Sequence, residues 1–187
     1  MSTISAALDE HLRIIEKTRS LETSISSVSA VMTRSLRTNH KILWAGNGGS
    51  ASDSQHLAAE LVGRFQEDRP AIASIALTTD TSILTAVGND YGFEQVFSRQ
   101  IEALASDGDV FVAISTSGNS YNLVRAVKSA KAKGVTTVGF LGKSGGALKD
   151  LVHHPLVVPS EITARIQEAH ILIGHILCQL IEESLFS

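Results

Sequence analysis

The sequence predicts an α/β fold, an open parallel β-sheet with helices on both faces, and three observations carry that expectation. Short apolar runs alternate with longer stretches of helical periodicity, the pattern of parallel strands joined by crossover helices. Three of the runs end in clusters of Gly, Ser, Thr and Asn, at the strand exits where such sheets bind ligands. The 187 residues are 43% hydrophobic and 19% charged, a balance that lets one domain bury a core and sets the chain apart from disordered ones. No solenoid repeat, low-complexity tract or linker divides the chain, so a single domain is expected over residues 1–187.

Residues 4–36 lack Gly and Pro, and apolar side chains recur at Leu8, Leu12 and Ile15, then at Ile25, Val28 and Met32. Those intervals predict one or two amphipathic helices. They carry too little apolar surface to fold alone, so they are expected to pack on the body of the domain or on a neighbouring subunit. Residues 41–45 form the first strand, broken by Gly46-Asn47-Gly48-Gly49-Ser50 before a helix at 51–65. The second strand is expected at 72–77, a short helix within 78–92, and a further helix at 93–105. A strand at 109–114 leads through Ser115-Thr116-Ser117-Gly118-Asn119-Ser120 into a helix at 121–133, which Gly134 stops. Strands at 135–141 and 156–158 follow, the latter bounded by prolines, and a long helix from 161 to about 185 closes the chain.

A net charge of −3 offers no general field for nucleic acid or an anionic membrane, so neither is an expected partner. A phosphorylated ligand would have to be held by local groups. The single cysteine, Cys178, lies among Ile176, Leu177 and Leu180 and reads as a buried thiol in a reducing compartment. The first ten residues carry no basic segment followed by an apolar one. The apolar C-terminal run is interrupted by His170, His175, Gln179 and Glu182, so no stretch is read as a membrane span. The expected location is cytoplasmic.

The serine-rich loop offers hydroxyls beside the free N–H groups of a helix start, which together make an anion site without a lysine. The glycine loop satisfies the G-x-G-x-x-A variant of the dinucleotide fingerprint, but the acid that would hold a ribose, Asp80, falls beyond the second apolar run. The segment from Gly139 to Ser144 is too short between its glycines for a triphosphate-binding P-loop. His56 and Glu60 share one face of the helix after the glycine loop. On the last helix Gln167 and His175 fall on one side, about 80° apart, while His170 points elsewhere. Buried polar groups need partners, so this pair either bonds within a core or lines a site. Together the four could hold a divalent cation, or a carboxylate and an imidazole could move protons next to a carbonyl.

The glycine loop from Ala45, Gly88-Asn89-Asp90-Tyr91-Gly92-Phe93, the loop from Ile114 to Ser120, and Arg165-Ile166-Gln167-Glu168-Ala169-His170 occur in this order over nearly the whole chain. In that combination the sequence resembles the bacterial phosphoheptose isomerases of the sugar isomerase (SIS) domain superfamily. The resemblance implies an αβα sandwich with a five-stranded parallel sheet, extra N-terminal helices and a long C-terminal helix. It implies a homotetramer with sites at subunit interfaces and one zinc ion per subunit. The implied reaction converts sedoheptulose 7-phosphate to D-glycero-D-manno-heptose 7-phosphate through a cis-enediol, the first step of ADP- or GDP-heptose biosynthesis for surface glycans such as lipopolysaccharide. It further implies that Ser115, Thr116, Ser117 and Ser120 bind phosphate. Asn47, Gly48, Gly49, Ser50, Arg64, Asn89, Asp90, Glu60 and Gln167 would contact substrate, and His56, Glu60, Gln167 and His175 would hold the metal. Glu60 is expected as the base and His175 as the group serving the oxygens. The rival reading is a non-catalytic SIS-type binding protein, such as a regulator that associates with the replication initiator; such a protein has no chemical need for Glu60 together with His175.

Overall fold

A computed structural model describes residues 2–186. The chain runs α1 (Thr3–Thr18), a 3₁₀ turn, α2 (Glu22–Arg37), β1 (Ile42–Gly46), α3 (Gly49–Val62), β2 (Ser74–Ala76), α4 (Thr81–Tyr91) and a second 3₁₀ turn (Phe93–Gln95). It continues through α5 (Ser98–Leu104), β3 (Val110–Ser115), α6 (Tyr121–Ala132), β4 (Thr136–Gly142), α7 (Gly146–Leu151), β5 (His154–Val158) and α8 (Thr163–Phe186). All five strands are parallel, in the order β2-β1-β3-β4-β5.

The period of two along each strand divides the interior into two cores. Ile42, Trp44, Val112, Ile114 and Phe140 face one side, under α2, α3 and α8. Leu43, Ala45, Phe111, Ala113 and Leu141 face the other, under α5, α6 and α7. Trp44 and Phe140 are fully buried, each contributing roughly 1.5–3 kcal/mol through lost apolar exposure. The indole N–H of Trp44 donates to Ser74 Oγ at 2.9 Å, so the large ring leaves no polar atom stranded.

α8 is, among the described residues, the helix long and apolar enough to cross a bilayer. Its Ile166, Ile173, Leu177 and Ile181 instead fill the first core. α1 lies along it, pinned by His11 Nδ1 to Glu168 Oε2 at 2.7 Å and by Arg165 donating to Ala7 O at 2.9 Å.

Two expectations need correction. Residues 93–105 are a 3₁₀ turn and a short helix rather than one helix, because the chain turns to send adjacent Val96 and Phe97 into the same core. One straight helix would aim them about 100° apart. The strand at 156–158 begins earlier, with Pro155 inside it; β5 is a sheet edge, where proline's missing N–H costs no ladder bond. α7 has no counterpart in the sequence reading, since six residues that open on the second of two glycines show no periodicity.

Candidate active site

The sheet reverses its order between β1 and β3, with β2 beyond one and β4 and β5 beyond the other. The strand exits diverge there and leave a crevice. Both polar loops open onto it. In the glycine loop, Gly48 has φ +57° and occupies the N-cap position of α3, and the Asn47 O accepts from Ser50 N at 3.1 Å. The Asn47 and Asn122 carboxamides exchange hydrogen bonds of 3.0 and 2.9 Å, which ties this loop to the start of α6.

The serine loop wraps around its own backbone. Gly118 N–H donates to Ser115 Oγ at 3.1 Å and Asn119 N–H to Ser117 Oγ at 3.2 Å. Ser120 occupies the N-cap position of α6, yet its hydroxyl pairs with Ser115 Oγ at 3.1 Å instead of capping. That leaves the start of α6 without a side-chain cap. Thr116 and Ser117 are half-buried at the same turn. From behind, the loop is held by Leu148 N–H on Gly118 O at 3.0 Å and Ala147 N–H on Asn119 Oδ1 at 2.9 Å. Gly118 has φ +66°, and a methyl group there would overlap Gly145 O.

α3 and α8 cross closely because Gly174 has no side chain; a Cβ there would stand 2.5 Å from Leu57. The crossing brings together residues 119 apart in sequence: His56 Nε2 and His175 Nε2 are 2.9 Å apart. Glu60 Oε1 is 3.3 Å from His56 Nε2, and one ligand atom from each of the three lies within 4.8 Å of the others. The His175 ring is stacked on Phe65, with centroids 5.6 Å apart and planes at 29°, and meets the edge of His56 at 5.2 Å. One turn before His56 on α3, Asp53 Oδ2 is buried without a partner; burial pushes its carboxyl up, and His56 only partly offsets this.

Two imidazole nitrogens and a carboxylate oxygen are a donor set suited to zinc. Bonds of about 2.0–2.1 Å in a tetrahedron hold ligand atoms roughly 3.3 Å apart, close to the 2.9 Å from His56 to His175 and the 3.3 Å from His56 to Glu60. Gln167 lies nearer the start of α8. Its carboxamide rests against Gly49, with Nε2 2.6 Å from where a Cβ would stand. Eight residues separate it from His175 along α8, a rise of about 12 Å between their backbones. Asn89 and Asp90 are exposed at the end of α4 and hydrogen-bond to each other at 2.7 Å. Arg64 is exposed in the turn after α3, and Ser50 is buried under the glycine loop.

Sequence reasoning missed Asn122, Gly145, Phe65, Arg69 and Glu182. Only Glu182 leaves a signal, an acid interrupting an apolar helix, which by itself marks no more than a break in hydrophobicity. A groove of about 500 Å³ lies elsewhere, between the N-terminal helices and α8, lined by Ile15, Ile25, Leu172, Ile176 and Leu180. It contains no residue of the loops or the histidine–glutamate group.

The SIS domain family is matched over residues 8–142. A phosphoheptose isomerase of a Nitratiruptor species is 54% identical over 182 residues, covering 97% of both chains. The solved phosphoheptose isomerase of Neisseria gonorrhoeae is 43% identical with a TM-score of 0.92, over 96% of this chain and 97% of that one. That of Francisella tularensis is 36% identical with a TM-score of 0.94, over 98% and 100%.

Proposed function

The chain belongs to the SIS domain family and, within it, to the phosphoheptose isomerases; from this we propose that it interconverts sedoheptulose 7-phosphate and D-glycero-D-manno-heptose 7-phosphate. The observation that carries the reading is the convergence of Glu60 and His175 on one point in a chain that also carries a hydroxyl-lined loop at the start of α6. A binding protein needs the loop alone.

In the proposed reaction the phosphate lies in the loop of Ser115, Thr116, Ser117 and Ser120, where hydroxyls and the α6 N–H groups hold it without a fixed cation. Asn47, Gly48, Gly49, Ser50 and Gln167 line the path of the sugar chain, with Arg64, Asn89 and Asp90 serving substrate from the rim. Glu60 takes the proton from C1 of the ketose and returns it to C2. His175 moves the proton between the two oxygens as the carbonyl changes carbon. His56, Glu60 and His175, with Gln167 as a fourth donor, would hold zinc, and Glu60 and His175 would have to be released from the metal while these two move protons. When bound, zinc supplies Lewis-acid polarisation of the carbonyl.

The enzyme is proposed to act in the cytoplasm as a homotetramer, in the first step of nucleotide-activated heptose synthesis. The exposed stripe of Ile4, Leu8 and Leu12 along α1 supports self-association, because three large apolar side chains repeat on one helix face toward solvent. Incubation with sedoheptulose 7-phosphate is expected to yield an aldose heptose phosphate, detected by NMR. Glu60→Gln should lower turnover roughly 10²–10⁴-fold while leaving the fold intact; retained turnover would remove Glu60 as the base.

A further inference from the structure

The turn that follows α3 is held from below by a buried ion pair. Glu182 lies two turns beyond His175 on α8 and is 3% exposed. Its Oε1 accepts the N–H groups of Gln66 at 2.9 Å and Glu67 at 2.8 Å. Its Oε2 accepts Arg69 Nε at 2.8 Å and the Phe65 N–H at 3.3 Å. Arg69 extends the hold to the end of α3, donating to Leu61 O and Glu60 O at 2.8 Å each. Burial pushes the Glu182 carboxyl up, but the Glu67 and Gln66 amides, Arg69 and the Phe65 amide outweigh it and keep it below the usual range.

What this turn presents to the site is Phe65, stacked on His175. The torsion that sets the plane of an imidazole is broad and roughly two-fold, so a histidine does not fix its own ring. His175 is fixed by its neighbours, with Phe65 on its face and the edge of His56 against it. We propose that Glu182 and Arg69 are positioning residues for the isomerase: they lock the turn that carries Phe65, and Phe65 holds the plane of His175 so that its Nε2 points at Glu60 and His56. The inference rests on the isomerase reading above. Finishing α3 would not by itself call for this arrangement. Arg69 and the N–H groups of Gly63 and Ile72 already satisfy the carbonyls of Ala59, Glu60 and Leu61 without Glu182, and the exposed neighbours of Phe65 could turn to water. Burying a charged pair carries a desolvation cost, which a turn with no task could avoid.

The test uses Phe65→Leu, Phe65→Tyr, Glu182→Gln and the Phe65→Leu/Glu182→Gln double variant. Phe65→Leu keeps an apolar side chain but removes the flat face. Its kcat should fall roughly 10–100-fold, the usual effect of removing a supporting contact, with KM within about twofold of wild type. Phe65→Tyr should restore most of the loss. Glu182→Gln should lower kcat as well, and the double variant should be no slower than Glu182→Gln alone, since the two residues act through one contact. Independently of turnover, the His175 ring protons should be shifted upfield by the face of Phe65 and lose that shift in Glu182→Gln. Full kcat in Phe65→Leu, multiplied losses in the double variant, or an unchanged ring shift in Glu182→Gln would each overturn the proposal. An inactive wild type would overturn the isomerase reading instead, and the ring shift would still decide the positioning role.

Discussion

His170 is wholly buried between α8 and the sheet, its Nε2–H donating to Leu141 O at 3.0 Å and its ring tilted against Phe140. Burial pushes its pKa down to about 4, against a smaller upward pull from the Leu141 carbonyl. The folded protein therefore keeps this imidazole neutral while the unfolded chain binds a proton below about 6.5. Stability from this residue is complete above that pH and is lost as pH falls toward 4, by about 3 kcal/mol at most. Urea unfolding at pH 7 and pH 4.5 should show a smaller drop for His170→Gln than for wild type, because glutamine can donate to Leu141 O without titrating. An equal drop would mean that His170 is not the group responsible. Sequence spacing separates this histidine from His175 through helical geometry, but its burial cannot be read from one helix. Cys178 fits its sequence reading, since burial pushes its thiol up to about 12 and leaves it inert as a nucleophile.

Among the elements, the serine loop was legible as a polar break between a strand and a helix, because a run of hydroxyl residues and a glycine ends an apolar segment. Its support was not legible. The β4–α7 connection touches it through Leu148, Ala147 and the close approach of Gly145 to Gly118. In sequence that connection looks like a failed nucleotide motif, and it works instead as a backing for its neighbour. Gly118→Ala should therefore act on the cradle. The positive φ costs on the order of 1–3 kcal/mol, and the overlap with Gly145 O must push the two loops apart. The expected result is a folded protein with a lower melting temperature and a KM for the sugar phosphate raised roughly tenfold or more, as one to two charge-assisted hydrogen bonds are lost. An unchanged KM would argue that the phosphate lies elsewhere.

At the scale of the whole molecule, α1 and α2 cover α8 from outside and leave apolar surface behind. Ile4 is 73%, Leu8 59% and Leu12 66% exposed, and the groove lined by Ile15, Ile25, Leu172 and Ile176 lies against the same helices. A second copy burying that stripe would account for both. Leu8→Lys should shift the species seen by light scattering to a smaller mass without changing the circular dichroism spectrum, since Leu8 supports nothing inside the chain. If the mass stays the same, assembly uses another face. The exposed Arg64, Asn89 and Asp90 make a second expectation: activity should fall with dissociation if those residues serve a site completed across subunits.

The order of the five strands and of the helices other than α7 and the turn before α5, the two polar loops at strand exits and the shared faces of His56 with Glu60 and of Gln167 with His175 were determined by the sequence itself. Each is a local matter of periodicity and backbone freedom, in which a residue's neighbours within a few positions decide the outcome. The tertiary structure decided which faces meet. A period of 3.6 marks the side of α3 that turns inward, but only the crossing at Gly174 and Leu57 sets His56 against His175 while leaving Gln167 at Gly49. Phe65 and Arg69 joined Glu182 for the same reason: a buried carboxylate must find donors, and only the folded chain places those amides, more than a hundred residues away, within its reach.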